Sequence, residues 1–143
     1  MKSYVLGFMF DLKCESVVLV RKKSPAWQTG KWNGVGGKIE DGEIPFLAMS
    51  RECMEETGYK KGSLGWDAVA IFTCLGGTVY AYKTQFLDFD WLPAANDNQE
   101  ELRVFPVDKL PADVIPNLRW LIPMQLDRIE LPVLFRYEDC ECC

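Results

Sequence analysis

The 143-residue chain is 48% hydrophobic, with five Trp, five Tyr and eight Phe, so it can form one domain with a substantial core. It contains no histidine, which excludes Ser-His-Asp and Cys-His catalysis and every zinc site that uses histidine. Residues 1–38 carry a net charge of +5 and residues 39–143 carry −10, which suits a small anionic ligand rather than a long nucleic acid.

The cysteines and the apolar runs indicate where the protein works. Three cysteines in apolar or periodic segments are predicted to be buried thiols: Cys14, Cys53 and Cys74. Three more form a terminal cluster, interpreted as an oxidisable tail rather than a soft-metal site: Cys140, Cys142 and Cys143. Residues 1–10 lack a signal cleavage site, and no apolar run approaches the about 20 residues of a membrane span. A soluble, cytoplasmic protein without a membrane partner is expected.

The first predicted elements are two strands, 4–10 and 17–21, joined by a polar turn. Their near-continuous apolar character predicts that both of their faces are buried. Lys22 and Lys23 follow the second strand. They are interpreted either as an ordinary charged loop or as contacts to a polyphosphate beside the glycine-rich turn that comes next.

A helix is predicted after the glycine-rich turn. Pro45 suits its first position, where a missing amide costs nothing, and Gly58 suits the left-handed conformation just past its end. Nothing breaks a helix across 46–57. Four residues at helical spacing are predicted to face the core: Phe46, Met49, Cys53 and Thr57.

A second face of this helix carries Glu52, Glu55 and Glu56 at positions i, i+3 and i+4. Their mutual repulsion raises their pKa values unless a cation lies between them, and carboxylate oxygens are the ligands that Mg²⁺ and Mn²⁺ prefer. A solvated acidic face is the alternative for this spacing alone. Arg51 and Glu43 in the same segment, and the glycines before it, favour a metal site beside a ligand.

The downstream elements predicted in chain order are strands at 66–75 and 78–87 with the hairpin signal Gly76-Gly77, a loop at 88–99, a strand at 102–107, a helix at 117–130 and a strand at 131–137. Pro123 is expected to kink the helix or to confine its regular part to the residues that follow. This order of elements predicts an α/β fold, a mixed sheet with helices on both faces.

The segment 37–59 resembles the Nudix box, G-x5-E-x7-R-E-U-x-E-E-x-G-U, in which U is a bulky apolar residue. Seven residues match its fixed letters: Gly37, Glu43, Arg51, Glu52, Glu55, Glu56 and Gly58. Cys53 and Tyr59 fill U positions, a mild departure. The resemblance implies a single Nudix domain over 1–143, an α/β/α sandwich with a mixed β-sheet, and a metal-dependent enzyme that hydrolyses phosphoanhydride bonds.

The resemblance also implies roles for residues of the box. The metal ligands it implies, for Mg²⁺ or Mn²⁺, are Glu52, Glu55, Glu56 and the backbone of Gly37. It implies that Arg51 orients a box glutamate with Glu43 as its partner. Nudix enzymes often recruit one more acid from a later loop, as ligand or general base. Glu100 and Glu101 are the candidates, with Asp97 a weaker third, and a solvated loop acid is the alternative for each.

The stretch W-N-G-x-G-G-K at 32–38 is similar to the MutT-like branch that hydrolyses oxidised purine nucleoside triphosphates. In that branch the asparagine reads the purine edge, and Asn33 is its match, with a turn asparagine as the alternative. Lys38 ends the stretch and is a further substrate-binding candidate. Asn117 lies where relatives place a second asparagine, and Trp120 is a candidate for stacking on the base, although its spacing also suits the core.

Absent signatures narrow the substrate. The chain lacks the Gly-Pro pair of ADP-ribose hydrolases, the S-Q-P-W-P-F-P run of NADH hydrolases and the coenzyme A signature. The expected function is therefore hydrolysis of a nucleoside triphosphate to monophosphate and pyrophosphate, with a small nucleotide as the partner. The alternatives are a pyrophosphatase of nucleoside diphosphate sugars or dinucleotides, and a Nudix-fold nucleotide-binding regulator without turnover. The intact acids of the box disfavour the regulator.

Overall fold

The structure is a computed structural model that describes residues 2–60, 65–74, 76–92 and 100–136. Within these residues the elements in chain order are β1 (Ser3–Asp11), β2 (Ser16–Arg21), a 3-10 turn (Ala26–Gln28), β3 (Trp32–Asn33), β4 (Val35–Lys38), α1 (Pro45–Thr57), β5 (Asp67–Cys74), β6 (Gly77–Phe86), β7 (Glu101–Pro106), α2 (Leu118–Leu126) and β8 (Val133–Arg136).

The described strands form one sheet in the order β3-β2-β1-β6-β5-β8, and outside this path β4 pairs with β1 and β7 with β2. β1 runs parallel to β6, and β5 runs parallel to β8. The other strand pairs are antiparallel. The predicted mixed sheet is therefore confirmed.

The two helices cover opposite faces of this sheet. Along β1, Leu6, Phe8 and Phe10 join the apolar cluster that contains buried residues of α2. Val5 and Met9 point the other way and join the cluster that contains buried residues of α1. Since successive strand residues face opposite sides of a sheet, β1 is buried on both faces. The predicted α/β/α layering is confirmed.

Helix α1 begins and ends where the sequence predicts. Pro45 is its first residue, and Gly58 follows its end with φ of 77°, donating its amide to the Met54 carbonyl oxygen at 2.9 Å. Its predicted core face is wrong at Phe46, which is 42% exposed, whereas Ala48 is fully buried. The Phe46 ring lies at the first turn of the helix, so it reaches only the margin of the core.

The glycine-rich segment forms two strands that the sequence analysis did not predict. β4 pairs with β1 through Gly36 and Gly37, although glycine disfavours strands. A Cβ added at Gly36 would collide with the carbonyl group of Val5. The absence of a side chain therefore lets β4 lie directly against β1, and tertiary pairing overrides local propensity.

Helix α2 contradicts one of the two expectations for Pro123, that the regular part of the helix follows the proline. The helix runs through Pro123 and ends at Leu126, rather than beginning after the proline and reaching residue 130. Proline removes one amide donor from the helix. The buried side chains of Leu121 and Ile122 hold this short helix against the sheet across that position.

The hairpin also differs, because Gly77 already belongs to β6 and pairs with Cys74.

The predicted burial of the cysteines is correct only for Cys53. Cys14 lies in the turn between β1 and β2 and Cys74 ends β5, so both thiols are half-buried. Two of the predictions fall outside the described residues. One concerns the terminal cluster of Cys140, Cys142 and Cys143, and the other concerns Asp97 within residues 93–99. None of the described helices combines the length and the apolar character needed to cross a membrane.

Candidate active site

A cleft of about 550 Å³ passes from the α1 side of the sheet to the start of α2. The part of the cleft next to α1 is lined by Lys22, Glu52, Glu56 and Glu100. We call this the acidic part. The remainder, which we call the α2-side part, is lined by polar and apolar residues from several elements: Gln28, Asn33, Phe72, Cys74 and Asn117. The volume of the whole cleft lies in the range of pockets that hold small organic ligands.

Glu56 lies in the acidic part with 11% of its side-chain surface exposed. Its Oε1 lies 3.2 Å from Lys22 Nζ, and its Oε2 accepts the Gly36 amide at 3.2 Å. Lys22 Nζ also lies 3.6 Å from Glu100 Oε1. Burial raises the pKa of Glu56 to about 7, although Lys22 acts in the opposite direction. Burial alone would lower the pKa of Lys22, but the two carboxylates outweigh it and the net direction is upward.

Glu52 is the second buried acid, with 9% of its surface exposed. Burial raises the pKa of its carboxyl group, while Arg51 opposes this change. A Cβ added at Gly37 would lie 2.5 Å from Glu52 Oε1. The sequence predicts that Gly37 lets a ligand approach the backbone closely. In the structure, the missing side chain of Gly37 lets the Glu52 carboxylate lie against the β4 backbone.

Arg51 connects the acids of the box. Its guanidinium forms a bidentate pair with Glu43 at 2.8 and 2.9 Å, and the same group reaches Glu52 Oε1 at 2.9 Å. It also reaches Glu55 Oε2 at 3.2 Å and donates to the Lys38 carbonyl oxygen at 3.0 Å. The Arg51 hydrogen bonds lower the pKa of Glu43, and the carboxylates raise the pKa of Arg51. A two-point pair of this kind fixes orientation as well as charge.

Glu55 differs from its predicted place. Its side chain is 57% exposed and contacts Arg51, and it does not line the cleft. An α-helix turns about 100° per residue, so Glu52 lies between Glu55 and Glu56, which point about 100° apart. Among the described residues, no three acids converge as a ready metal-binding group. The box therefore brings two of its three acids into the cleft.

The structure separates the two loop acids. Glu100 lines the cleft and accepts the Lys23 amide at 2.6 Å. Glu101 begins β7 and pairs with Arg103 at 2.6 Å, outside the cleft. Neighbouring residues entering a strand point to opposite sides, so only one of the pair can face the acidic part.

Of the remaining residues predicted to bind the substrate, only some line the cleft. Lys38 lines the cleft. The Lys23 backbone holds Glu100, but Lys23 is not among the residues that line the cleft. Trp120 does not line it either, is 38% exposed, and packs edge-on against Phe135 with ring centroids 5.3 Å apart. It therefore packs against β8 at the margin of the core and is not among the residues that line the cleft.

The two asparagines predicted to read a base both line the α2-side part. Asn33 Nδ2 donates to Gln28 Oε1 at 3.0 Å, and its Oδ1 accepts the Gly34 amide at 2.8 Å. Asn117 is only 6% exposed, and its Oδ1 has no hydrogen-bond partner among the described residues. No motif or spacing in the turn at 26–28 marks Gln28, so the sequence alone does not predict its place in the cleft.

Comparisons with known proteins show the family of this chain. The NUDIX domain model matches residues 2–125, so the chain belongs to the Nudix family. It is 27% identical over 131 residues to the oxidized purine nucleoside triphosphate hydrolase of Mus musculus, covering 85% of this chain and 80% of that protein. It is 30% identical over 106 residues to the putative 8-oxo-dGTP diphosphatase 2 of Mycobacterium tuberculosis, covering 68% of this chain and 74% of that protein.

The fold is similar to that of solved relatives. The crystal structure of a NUDIX hydrolase from Nitrosomonas europaea matches with a TM-score of 0.71 and 18% identity, covering 96% of this chain and 79% of that chain. The family and the relatives that this chain resembles define an enzyme that hydrolyses phosphoanhydride bonds of nucleotides. Nudix hydrolases generally use a divalent metal ion.

Proposed function

We propose that this enzyme hydrolyses an oxidised purine nucleoside triphosphate, such as 8-oxo-dGTP, to the monophosphate and pyrophosphate. One observation carries the proposal: a single cleft places buried carboxylates with Lys22 in one part and two asparagine side chains in the other. The acidic part suits a metal-bound polyphosphate and the α2-side part suits a purine. The names of the mouse and mycobacterial relatives support the same substrate class.

Mg²⁺ or Mn²⁺ is the proposed cofactor, because the acidic part offers oxygen ligands that hard divalent ions prefer. Glu52, Glu56 and Glu100 line this part, and the Gly37 backbone lies against Glu52. Burial raises the pKa values of Glu52 and Glu56, which is the cost that a bound cation would offset. Glu55 joins this set only if its side chain turns away from Arg51. When bound, the ion lowers the pKa of a coordinated water and neutralises phosphate charge.

The protein's own groups then position the reactants. Lys22 Nζ, already between two carboxylates, is assigned to the polyphosphate, with Lys38 and Lys23 as further cationic contacts near the cleft. Arg51 holds Glu52 in place through its pair with Glu43. Glu100 is assigned as the acceptor of the proton from the attacking water.

The asparagines are assigned to the base. The unpartnered Oδ1 of Asn117 is an acceptor, and a buried acceptor without a donor costs about 1–3 kcal/mol. An 8-oxopurine carries an N–H at N7, where an ordinary purine has a lone pair. An acceptor in this part of the cleft therefore favours the oxidised base.

The test is Mg²⁺-dependent release of pyrophosphate from a panel of nucleotides. We expect 8-oxo-dGTP to have a kcat/KM roughly 10-fold or more above that of dGTP, consistent with about 1–3 kcal/mol of discrimination. Preference for a nucleoside diphosphate sugar or a dinucleotide would refute the substrate assignment. Tight nucleotide binding without turnover of any panel member would indicate a regulator.

The asparagine assignment has its own variants. Asn117→Ala should reduce the ratio of kcat/KM for 8-oxo-dGTP over dGTP by roughly 5-fold or more, since it removes the open acceptor. Asn33→Ala is also expected to reduce this ratio, although its amide supports Gln28 and Gly34 as well. If both variants keep the parent ratio, neither asparagine reads the base.

The loop acids provide a matched pair of variants. Glu100→Gln is expected to lower kcat by roughly 10²-fold, as for loss of a general base. Glu101→Gln should stay within about 2-fold of the parent, because that carboxylate pairs with Arg103 on the surface and exposed pairs contribute little. Steady-state kinetics at saturating Mg²⁺ measure both. A larger loss in Glu101→Gln than in Glu100→Gln would reverse the assignment.

We further propose a cytoplasmic location, supported by the free thiols of Cys14 and Cys74, since reduced cysteines are the rule in that compartment. Recovery of the protein from a secreted or membrane fraction of its native cells would contradict this.

A further inference from the structure

One cysteine lies in the cleft itself. Cys74 is the last residue of β5, on the same sheet face as Phe72, and both line the α2-side part. Its Sγ lies 3.6 Å from the Gly77 carbonyl oxygen, and the residue is half-buried. The thiol is thus accessible through the cleft and is held at its wall by the β5–β6 hairpin.

A second feature points to a ligand in this part of the cleft. Asn117 lines the same space, is more than nine-tenths buried, and its Oδ1 lacks a partner among the described residues. A buried acceptor of this kind is costly unless a ligand supplies the donor. Cys74 therefore shares a cavity with a group that is suited to hold the nucleoside portion of a substrate.

We propose that Cys74 is a covalent modification site through which soft carbon electrophiles block the nucleoside-binding part of the cleft. This inference rests on the proposed function, which places the base there. In the reaction the Cys74 sulfur attacks the electrophilic carbon, a sulfur–carbon bond forms, and the leaving group departs with its electron pair while the thiol proton passes to solvent. With iodoacetamide the leaving group is iodide, and the sulfur carries a carbamidomethyl group inside the cleft.

The other described cysteines provide the contrast. Cys53 belongs to α1 and is fully buried on the core face of that helix. Cys14 is half-buried like Cys74, but it lies in the β1–β2 turn, where Gln85 Nε2 reaches its sulfur at 3.1 Å, and it does not line the cleft. Cys14 is therefore a matched control, a thiol of similar accessibility placed away from the ligand.

The experiment follows iodoacetamide labelling of each cysteine in the full chain by peptide mass spectrometry. The two hydrolysis products serve as probes of the two parts of the cleft. We expect saturating 8-oxo-dGMP to slow labelling of Cys74 at least roughly 5-fold without slowing that of Cys14, whereas pyrophosphate slows neither. At a triphosphate concentration well below KM, the hydrolysis rate should fall in proportion to the fraction of Cys74 that is labelled.

Two variants complete the test. Cys14→Ser should remain as sensitive to iodoacetamide as the parent. Cys74→Ser should show the same activity with and without the reagent, whatever that activity is. A Cys74 that does not label, or that labels without any loss of rate at a triphosphate concentration well below KM, would overturn the inference. If another nucleotide proves to be the substrate and its monophosphate protects Cys74, the modification site stands and only the base assignment falls. If 8-oxo-dGTP is the substrate and Cys74 is unprotected, the modification site alone fails.

Discussion

Glu56→Gln is expected to lower kcat by roughly 10³-fold or more while leaving the fold intact. The substitution keeps the shape of the side chain and removes one negative charge from the acidic part. Stabilisation by a bound divalent ion contributes several kcal/mol to such a reaction, and about 4 kcal/mol corresponds to about 10³ in rate. Steady-state hydrolysis of the best substrate in saturating Mg²⁺ measures the loss, and circular dichroism reports the fold.

A matched control is Glu130→Gln, the same chemical change at an exposed position after α2. It should keep the kcat and KM of the parent, because this residue lies outside the cleft. Turnover in Glu56→Gln above a tenth of the parent value would reject the role of Glu56.

Glu56→Gln is also expected to raise the free energy of unfolding of the metal-free protein at pH 8 by about 1–3 kcal/mol. In the unfolded chain the pKa of a glutamate is near 4.5, whereas in the folded protein burial raises the pKa of Glu56 to about 7. Between these values the folded state keeps a proton that the unfolded state has lost. The free energy of unfolding therefore falls as the pH rises from about 4.5 to about 7 and is then level. Lys22 keeps Glu100 as its partner in the variant.

Chemical denaturation in EDTA across pH 4.5 to 8 measures this effect. The parent should lose stability over that range, and Glu56→Gln should lose less. Mg²⁺ at pH 8 should then raise the Tm of the parent more than that of the variant, because binding to the folded state stabilises it. Parallel pH profiles, or a variant less stable than the parent in EDTA at pH 8, would contradict the view that burial of the Glu56 charge is costly.

Local features of the chain predicted the helix α1 and its arginine–glutamate pair correctly. Pro45 and Gly58 mark the two ends of α1 because they act through backbone geometry within a few residues. The pair of Arg51 with Glu43 spans eight residues, a separation that the turn and the first helical turns bring together. Strand β1 was predicted as buried on both faces because its apolar residues are consecutive.

The sequence by itself thus determined the helix, its acids and their arginine, since these depend on nearest neighbours and on helical spacing. Only the tertiary structure decided which groups enter the cleft. Glu55 points to solvent although its spacing matches that of Glu56, and Glu100 rather than its neighbour faces Lys22. These outcomes depend on where α1 rests on the sheet and on the register of β7, which are set by packing between residues far apart in the chain.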